Sequence, residues 1–150
     1  MPKFSSEYQQ SHDIDWFAKI GNVYVHAMSF GGNLPNEVNE RYTNTQVLLQ
    51  AYRMERICEQ FVFNEAYITE RLAGVGMEAY NNKRERYLRH FKEMASRGFY
   101  SFDRDLHEEN VYHLIVRPTD NNINARFPEM PHLAKDKMIE VDGTNYILVL

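Results

Sequence analysis

The chain has 150 residues, enough for one domain with a substantial core. Its 43% hydrophobic and 25% charged composition argues against a disordered chain, and its net charge of −4 argues against a wholly basic nucleic-acid binder. The single cysteine, Cys58, excludes an intrachain disulfide, and no apolar run reaches the ~18 residues of a membrane-spanning helix.

Met1 to Asp13 is polar and expected to fray. It has no hydrophobic segment of the signal-peptide kind, so a cytoplasmic location is expected. From Ile14 the pattern alternates, with Ile14, Trp16, Ala18 and Ile20 on one face and Asp15, Phe17 and Lys19 on the other. Gly21-Asn22 then separates this run from Val23–Ser29. Two β-rich runs joined by two turn-forming residues predict a hairpin, because positive φ at the turn matches the strand twist. The Phe30-Gly31-Gly32-Asn33-Leu34-Pro35 loop closes it.

A helix is expected from about Thr45 to Glu59, capped by Asn44 or Thr43. Val47, Leu48, Ala51, Met54 and Cys58 fall on one stripe, which makes Cys58 a buried, inert thiol. Phe61-Val62-Phe63 reads either as a short strand or as a bridge into the next helix. Asn64 caps Glu65 to Leu72, and Gly74-Val75-Gly76 breaks the pattern. Met77 to Arg97 is a long amphipathic helix with Met77, Tyr80, Tyr87, Leu88, Phe91, Met94 and Ala95 expected on its apolar side. Gly98 ends it in the left-handed conformation.

Phe99–Asp103 and Val111–Arg117 follow as strands, the second stopped by Pro118. Residues 119–136, with Pro128 and Pro131, are expected to form a long exposed loop. Met138–Val141, the Asp142-Gly143 turn and Asn145–Leu150 make a second hairpin. The order predicts one α+β domain over residues 1–150: an antiparallel sheet of about five to six strands with about three helices packed on one side. Trp16, Val25, Leu48, Met54, Leu88, Phe91, Leu114, Val116, Ile139 and Leu148 are expected in its core.

Two stretches carry a resemblance. Ile14-Asp15-Trp16-Phe17 through Gly31-Gly32-Asn33-Leu34-Pro35 is one. Met94 to Asp103 (Met-Ala-Ser-Arg-Gly-Phe-Tyr-Ser-Phe-Asp), followed by Tyr112-His113-Leu114, is the other. Together they resemble a group of small uncharacterised bacterial proteins with the same hairpin and helix-to-strand layout. That resemblance implies a domain built from the whole chain and brings no catalytic residues with it.

Spacing assigns no catalytic residue, metal ligand set or cofactor. The histidines His12, His26, His90, His107, His113 and His132 are scattered, and His107-Glu108-Glu109-Asn110-Val111 lacks the second histidine of a helical zinc motif. Thiolate zinc sites are excluded by the cysteine count. A site assembled from distant strands stays open, with Tyr24, His26, Asp103 and His113 as its candidate ligand-binding residues. Asp103 and Asp105 would share a face if their strand continues, a pair able to shift each other's pKa or to hold a cation. No Walker-type glycine loop or nucleophile elbow occurs.

Lys83 to Arg97 holds six basic and two acidic residues, while the segments on either side are net acidic. This cationic helix face supports three readings. The leading one is a non-catalytic interaction or accessory module that docks a protein partner through the basic helix face (Arg86, Arg89 and Lys92), the Tyr-rich sheet, or both, with pairing of two copies along the Tyr146–Leu150 strand also open. A small enzyme or ligand-binding protein with a pocket near His26, His113 and Asp103 is the first alternative. Nucleic-acid binding through residues 83–97 is the second. No membrane association is expected.

Overall fold

The computed structural model describes residues 4–39, 44–120 and 125–149. The first elements are α1 (Ser6–Ser11), β1 (Asp15–Ile20), β2 (Val23–Met28), α2 (Asn36–Asn39) and α3 (Asn44–Arg53). Next come β3 (Phe61–Phe63), α4 (Glu65–Arg71), α5 (Met77–Ser96), β4 (Tyr100–Arg104) and β5 (Val111–Pro118). The chain then adds β6 (His132–Leu133), β7 (Met138–Val141) and β8 (Thr144–Leu148).

The fold is mixed α+β, but its sheet is larger than expected and is not antiparallel throughout. Among the described residues eight strands form one sheet, in the order β6-β1-β2-β4-β5-β8-β7 with β3 alongside β5. β2 lies parallel to β4, and β1 parallel to β6. The parallel β2–β4 pair follows from the connection: α2, α3, β3, α4 and α5 together carry the chain back to the end where β2 began. Both tight hairpins form as the turn residues dictate. Gly21 has φ 60°, and Asp142 and Gly143 have φ 52° and 79°.

Strand alternation divides the core. Trp16, Ala18, Ile20, Val25, Ala27, Phe102, Tyr112 and Ile147 pack on one face with Leu34 and with Val38 of α2. The other face carries α3, α4 and α5 over Phe17, Phe99, Ile115 and Val116. Each large side chain buried in this way contributes about 1.5–3 kcal/mol. Among the described residues the α-helices are five rather than three, and α2 lies on the face opposite the three longest.

Several local expectations give way to the geometry. Ser5 caps α1 by accepting the Tyr8 N–H, so Ser6–Ser11 is helical rather than frayed. Met1–Lys3 and Thr43 lie outside the described residues. α3 stops at Arg53, and residues 55–60 form no regular element, with Ile57 and Cys58 N–H both donating to the Ser96 carbonyl. Cys58 is therefore half-buried in a non-helical segment, its thiol donating to the Gln60 carbonyl.

Asn64 caps α4 as its position suggests, accepting from the Tyr67 N–H. Residues 125–136 are not simply exposed: Met130, Pro131 and Leu133 are buried, and β6 pairs with β1. Ile139 is 37% exposed because β7 is an edge strand. Leu48, Met54 and Leu148 are only partly buried. No helix among the described residues is long and apolar enough to cross a membrane.

Candidate functional site

The helix-covered face of the sheet carries an unusual density of polar side chains. Cross-strand register pairs His26 with Ser101 and Asp103 with His113, so all four residues point toward the helical layer. A β-bulge between Ser101 and Phe102 interrupts the β4–β5 ladder beside them.

His26 is completely buried. Its Nε2 lies 2.6 Å from Asp15 Oδ1, and its Nδ1 lies 2.6 Å from Ser101 Oγ. Asp15 reaches it because it sits two residues before Phe17, the direct partner of His26 across the hairpin. His90, on α5, brings its own Nε2 to 2.7 Å from the same Asp15 oxygen. The Tyr52 hydroxyl of α3 stands 3.3 Å from His90 Nδ1. The rings of Phe17 and Phe91 close around His26. Two imidazoles from different elements thus converge on one carboxylate oxygen, and each has its far nitrogen against a hydroxyl.

These contacts set the charge of the cluster. Burial opposes ionisation of Asp15, but the hydrogen bonds from His26 and His90 outweigh it and hold the carboxyl below the usual range. Burial pushes the His26 imidazole down against the pull of Asp15. For His90 the hydrogen bond to Asp15 wins over burial and pushes the ring up. The cluster thus favours the carboxylate form of Asp15 and the neutral form of His26, while His90 is pushed toward protonation.

A second set of contacts begins at Asp103. Its Oδ2 accepts from the Tyr87 hydroxyl at 2.6 Å and pairs with Arg71 at 3.1 Å. Burial raises the Asp103 carboxyl to about 6 despite both partners. His113 Nε2 lies 2.6 Å from Asp105 Oδ1, and the His113 ring stacks on Tyr67 with centroids 3.8 Å apart. Burial opposes charge on Asp105 too, yet the N–H groups of His107 and Glu108 and the His113 ring lower it to about 2. Tyr24 stacks on Phe127 with a 3.8 Å centroid separation.

The four residues singled out in the sequence share a face but do not form one pocket. Among the described residues, no hydrogen bond joins His26 to Asp103 or His113. Asp103 and His113 are cross-strand partners whose side chains turn to Tyr87 and Arg71 in one case and to Asp105 in the other. The expected sharing of one site by Asp103 and Asp105 also fails, since Asp103 is buried by α5 and Asp105 belongs to the following turn.

The residues that do converge with His26 are Asp15, His90, Ser101 and Tyr52. Alternation carried part of the signal, because Asp15 and Phe17 occupy the same face of β1. His90 was hidden within the cationic run, although it lies three residues after Tyr87 on the sheet-facing side of α5.

Arg86, Arg89 and Lys92 are exposed, as their arc of the helix requires. Arg97 is instead buried, its guanidinium donating to the carbonyls of Tyr52, Met54 and Glu93. Arg84 pairs with Glu65. A cleft of about 500 Å³ runs between α5 and residues 56–61, lined by Arg56, Phe61, Arg84, Leu88, Arg89 and Lys92 among others. Asp15, His26 and His90 are outside it.

No family model matches the chain, and no curated protein or solved structure is detectably similar to it.

Proposed function

We propose that the protein is a small ligand-binding protein of the enzyme type, with Asp15, His26 and His90 as its working centre. The convergence of both imidazoles on a single Asp15 oxygen supports this reading. Apolar side chains would hold α5 to the sheet without the desolvation cost of a buried carboxylate. Instead, the helix–sheet interface keeps an ionised group and two nitrogen bases where His90 and Asp15 retain 27% and 18% side-chain exposure. Perturbed titratable groups at the border of core and solvent are the usual marks of a site that meets a ligand. Such a site suits a cation or a small polar molecule that accepts from, or donates to, imidazole and carboxylate.

The test is a thermal-shift screen of metal ions, organic phosphates and carboxylic acids against the chain and its Asp15→Asn and His90→Gln variants. A stabilising ligand lost in both variants supports the reading. Stabilisation by every hit to the same degree in all three proteins overturns it.

A second reading concerns the cleft along α5. Arg89 and Lys92 line it, and neither has an ion-pair partner among the described residues. The cleft also holds Glu59, Glu85 and Glu93, so it suits a partner segment with an apolar anchor for Phe61 and Leu88 and carboxylates set opposite Arg89 and Lys92. Replacing Arg86, Arg89 and Lys92 together by Ala should abolish capture of such a partner at unchanged Tm. Unaltered capture sinks this reading, and single-stranded DNA or RNA binding that weakens steeply with salt would replace it by nucleic-acid recognition.

A further inference from the structure

We propose that Asp15, His26 and His90 form a three-ligand site for a divalent transition metal of the zinc class. The inference rests on the reading of this cluster as the working centre and names what it holds.

The donor set comes first. The Asp15 carboxylate and one nitrogen from each imidazole all lie within 4.8 Å of one another. Two imidazoles and one carboxylate suit zinc, cobalt, iron or manganese, whereas calcium and magnesium seek shells of oxygen. Ligands at ~2.0–2.1 Å around a tetrahedral ion stand ~3.3 Å apart. The present contacts of 2.6 and 2.7 Å therefore need to open by less than about 1 Å. His90 has the freedom to move, being partly exposed on a helix, while His26 is fixed by the sheet.

The second observation is the outer layer. A metal-bound imidazole generally has its other nitrogen held by a partner that fixes the ring. Here Ser101 Oγ meets His26 Nδ1 at 2.6 Å, and Tyr52 Oη meets His90 Nδ1 at 3.3 Å. Both partners are hydroxyls, which donate or accept as required. Without metal, a neutral ring facing the Asp15 carboxylate donates from Nε2–H, and its hydroxyl partner then donates to Nδ1. With metal, the Nε2 lone pairs turn to the ion, the protons move to Nδ1 and the same hydroxyls accept. A carbonyl in either place would permit only one of these states. Ser101 is itself fully buried, and the adjacent bulge falls at its junction with Phe102.

Access is the third. His26 closes the inner side with no exposure, and the remaining exposure lies on Asp15 and His90. Three protein ligands leave at least one coordination position for water or substrate, and it opens on the solvent side.

The experiment is calorimetric titration of the chelator-stripped full chain with Zn²⁺, and with Co²⁺ followed by visible absorption. The expected result is one metal per chain, a Co²⁺ spectrum of four- or five-coordinate type, and at least about tenfold weaker binding by His90→Gln. His90→Gln alters a partly exposed helical position, and its circular dichroism and Tm establish that it folds. Failure of the chain to take up either ion, or equal uptake by the chain, His90→Gln and Asp15→Asn, overturns the proposal. If metal fails while an organic ligand stabilises the chain but neither variant, the working centre stands and only its metal falls. If no ligand distinguishes the variants, both readings fall.

Discussion

Asp15 and His90 are 75 positions apart in the chain, and their side chains meet at 2.7 Å. The contact ties the first residue of a β-strand to the middle of the longest helix, across an interface that also holds the buried Tyr87–Asp103 contact. Because the same oxygen also receives His26, any change in the Asp15 charge is felt by both rings. The first prediction follows from that shared oxygen. Asp15→Asn removes the carboxylate that pushes the His90 ring up, so the His90 titration midpoint moves downward. Histidine ring chemical shifts followed against pH measure it, and an unmoved midpoint would show that the contact is not formed in solution.

Ser101→Ala tests the support beneath His26. The substitution leaves a fully buried imidazole nitrogen with no partner, at a cost of about 1–3 kcal/mol. Urea unfolding of the two proteins should separate by that amount at constant m-value. Equal midpoints would mean that Ser101 merely fills space.

Asp103 controls a part of the pH dependence. Its folded-state value of about 6 exceeds the ordinary 3.8, so the folded protein holds this proton more tightly than the unfolded chain does. Its contribution to stability is therefore fully present below pH 3.8 and is lost as pH rises through about 6. Relative to Asp103→Asn, the parent chain should lose on the order of 3 kcal/mol between those limits. Asp105 works in the opposite sense: lowered to about 2, it stabilises above the ordinary carboxyl value, and that support disappears as pH falls through about 2. A constant difference between the parent and Asp103→Asn from pH 4 to pH 7 would contradict the assignment.

Gly32 is required by a close approach. A Cβ there would stand 2.1 Å from Arg104 Cδ and 2.9 Å from the Ser29 carbonyl oxygen. The arginine stem can yield, but the backbone oxygen cannot without moving the end of β2. Gly32→Ala should therefore cost about 1–3 kcal/mol, read from Tm or urea midpoint.

The parts of the fold legible in the sequence are those decided locally. Gly21-Asn22 and Asp142-Gly143 announce their hairpins through positive φ. Asn64 and Gly98 mark helix ends, and the stripe of Leu88, Phe91 and Met94 places the long helix. What escaped was decided at long range. The parallel β2–β4 pairing leaves no trace in either strand, and β3 had to meet β5 before Phe61–Phe63 could be told from a bridge into the next helix.

The candidate site shows the same division. His26 stood out as a polar residue on a strand face. Asp15 took its role only through hairpin register, and His90 only when α5 settled over that register. Asp103 and His113 were expected in one pocket with His26, yet Asp103 turns to Tyr87 and Arg71 and His113 to Asp105.

The most direct test is the ring-nitrogen NMR spectrum of His26, recorded without and with Zn²⁺. The proposed site requires Nε2 to carry the proton in the metal-free chain and Nδ1 to carry it once zinc is bound, with Ser101 reversing its hydrogen bond. A His26 spectrum that stays unchanged while zinc is taken up would place the metal elsewhere and contradict the Asp15–His26–His90 centre.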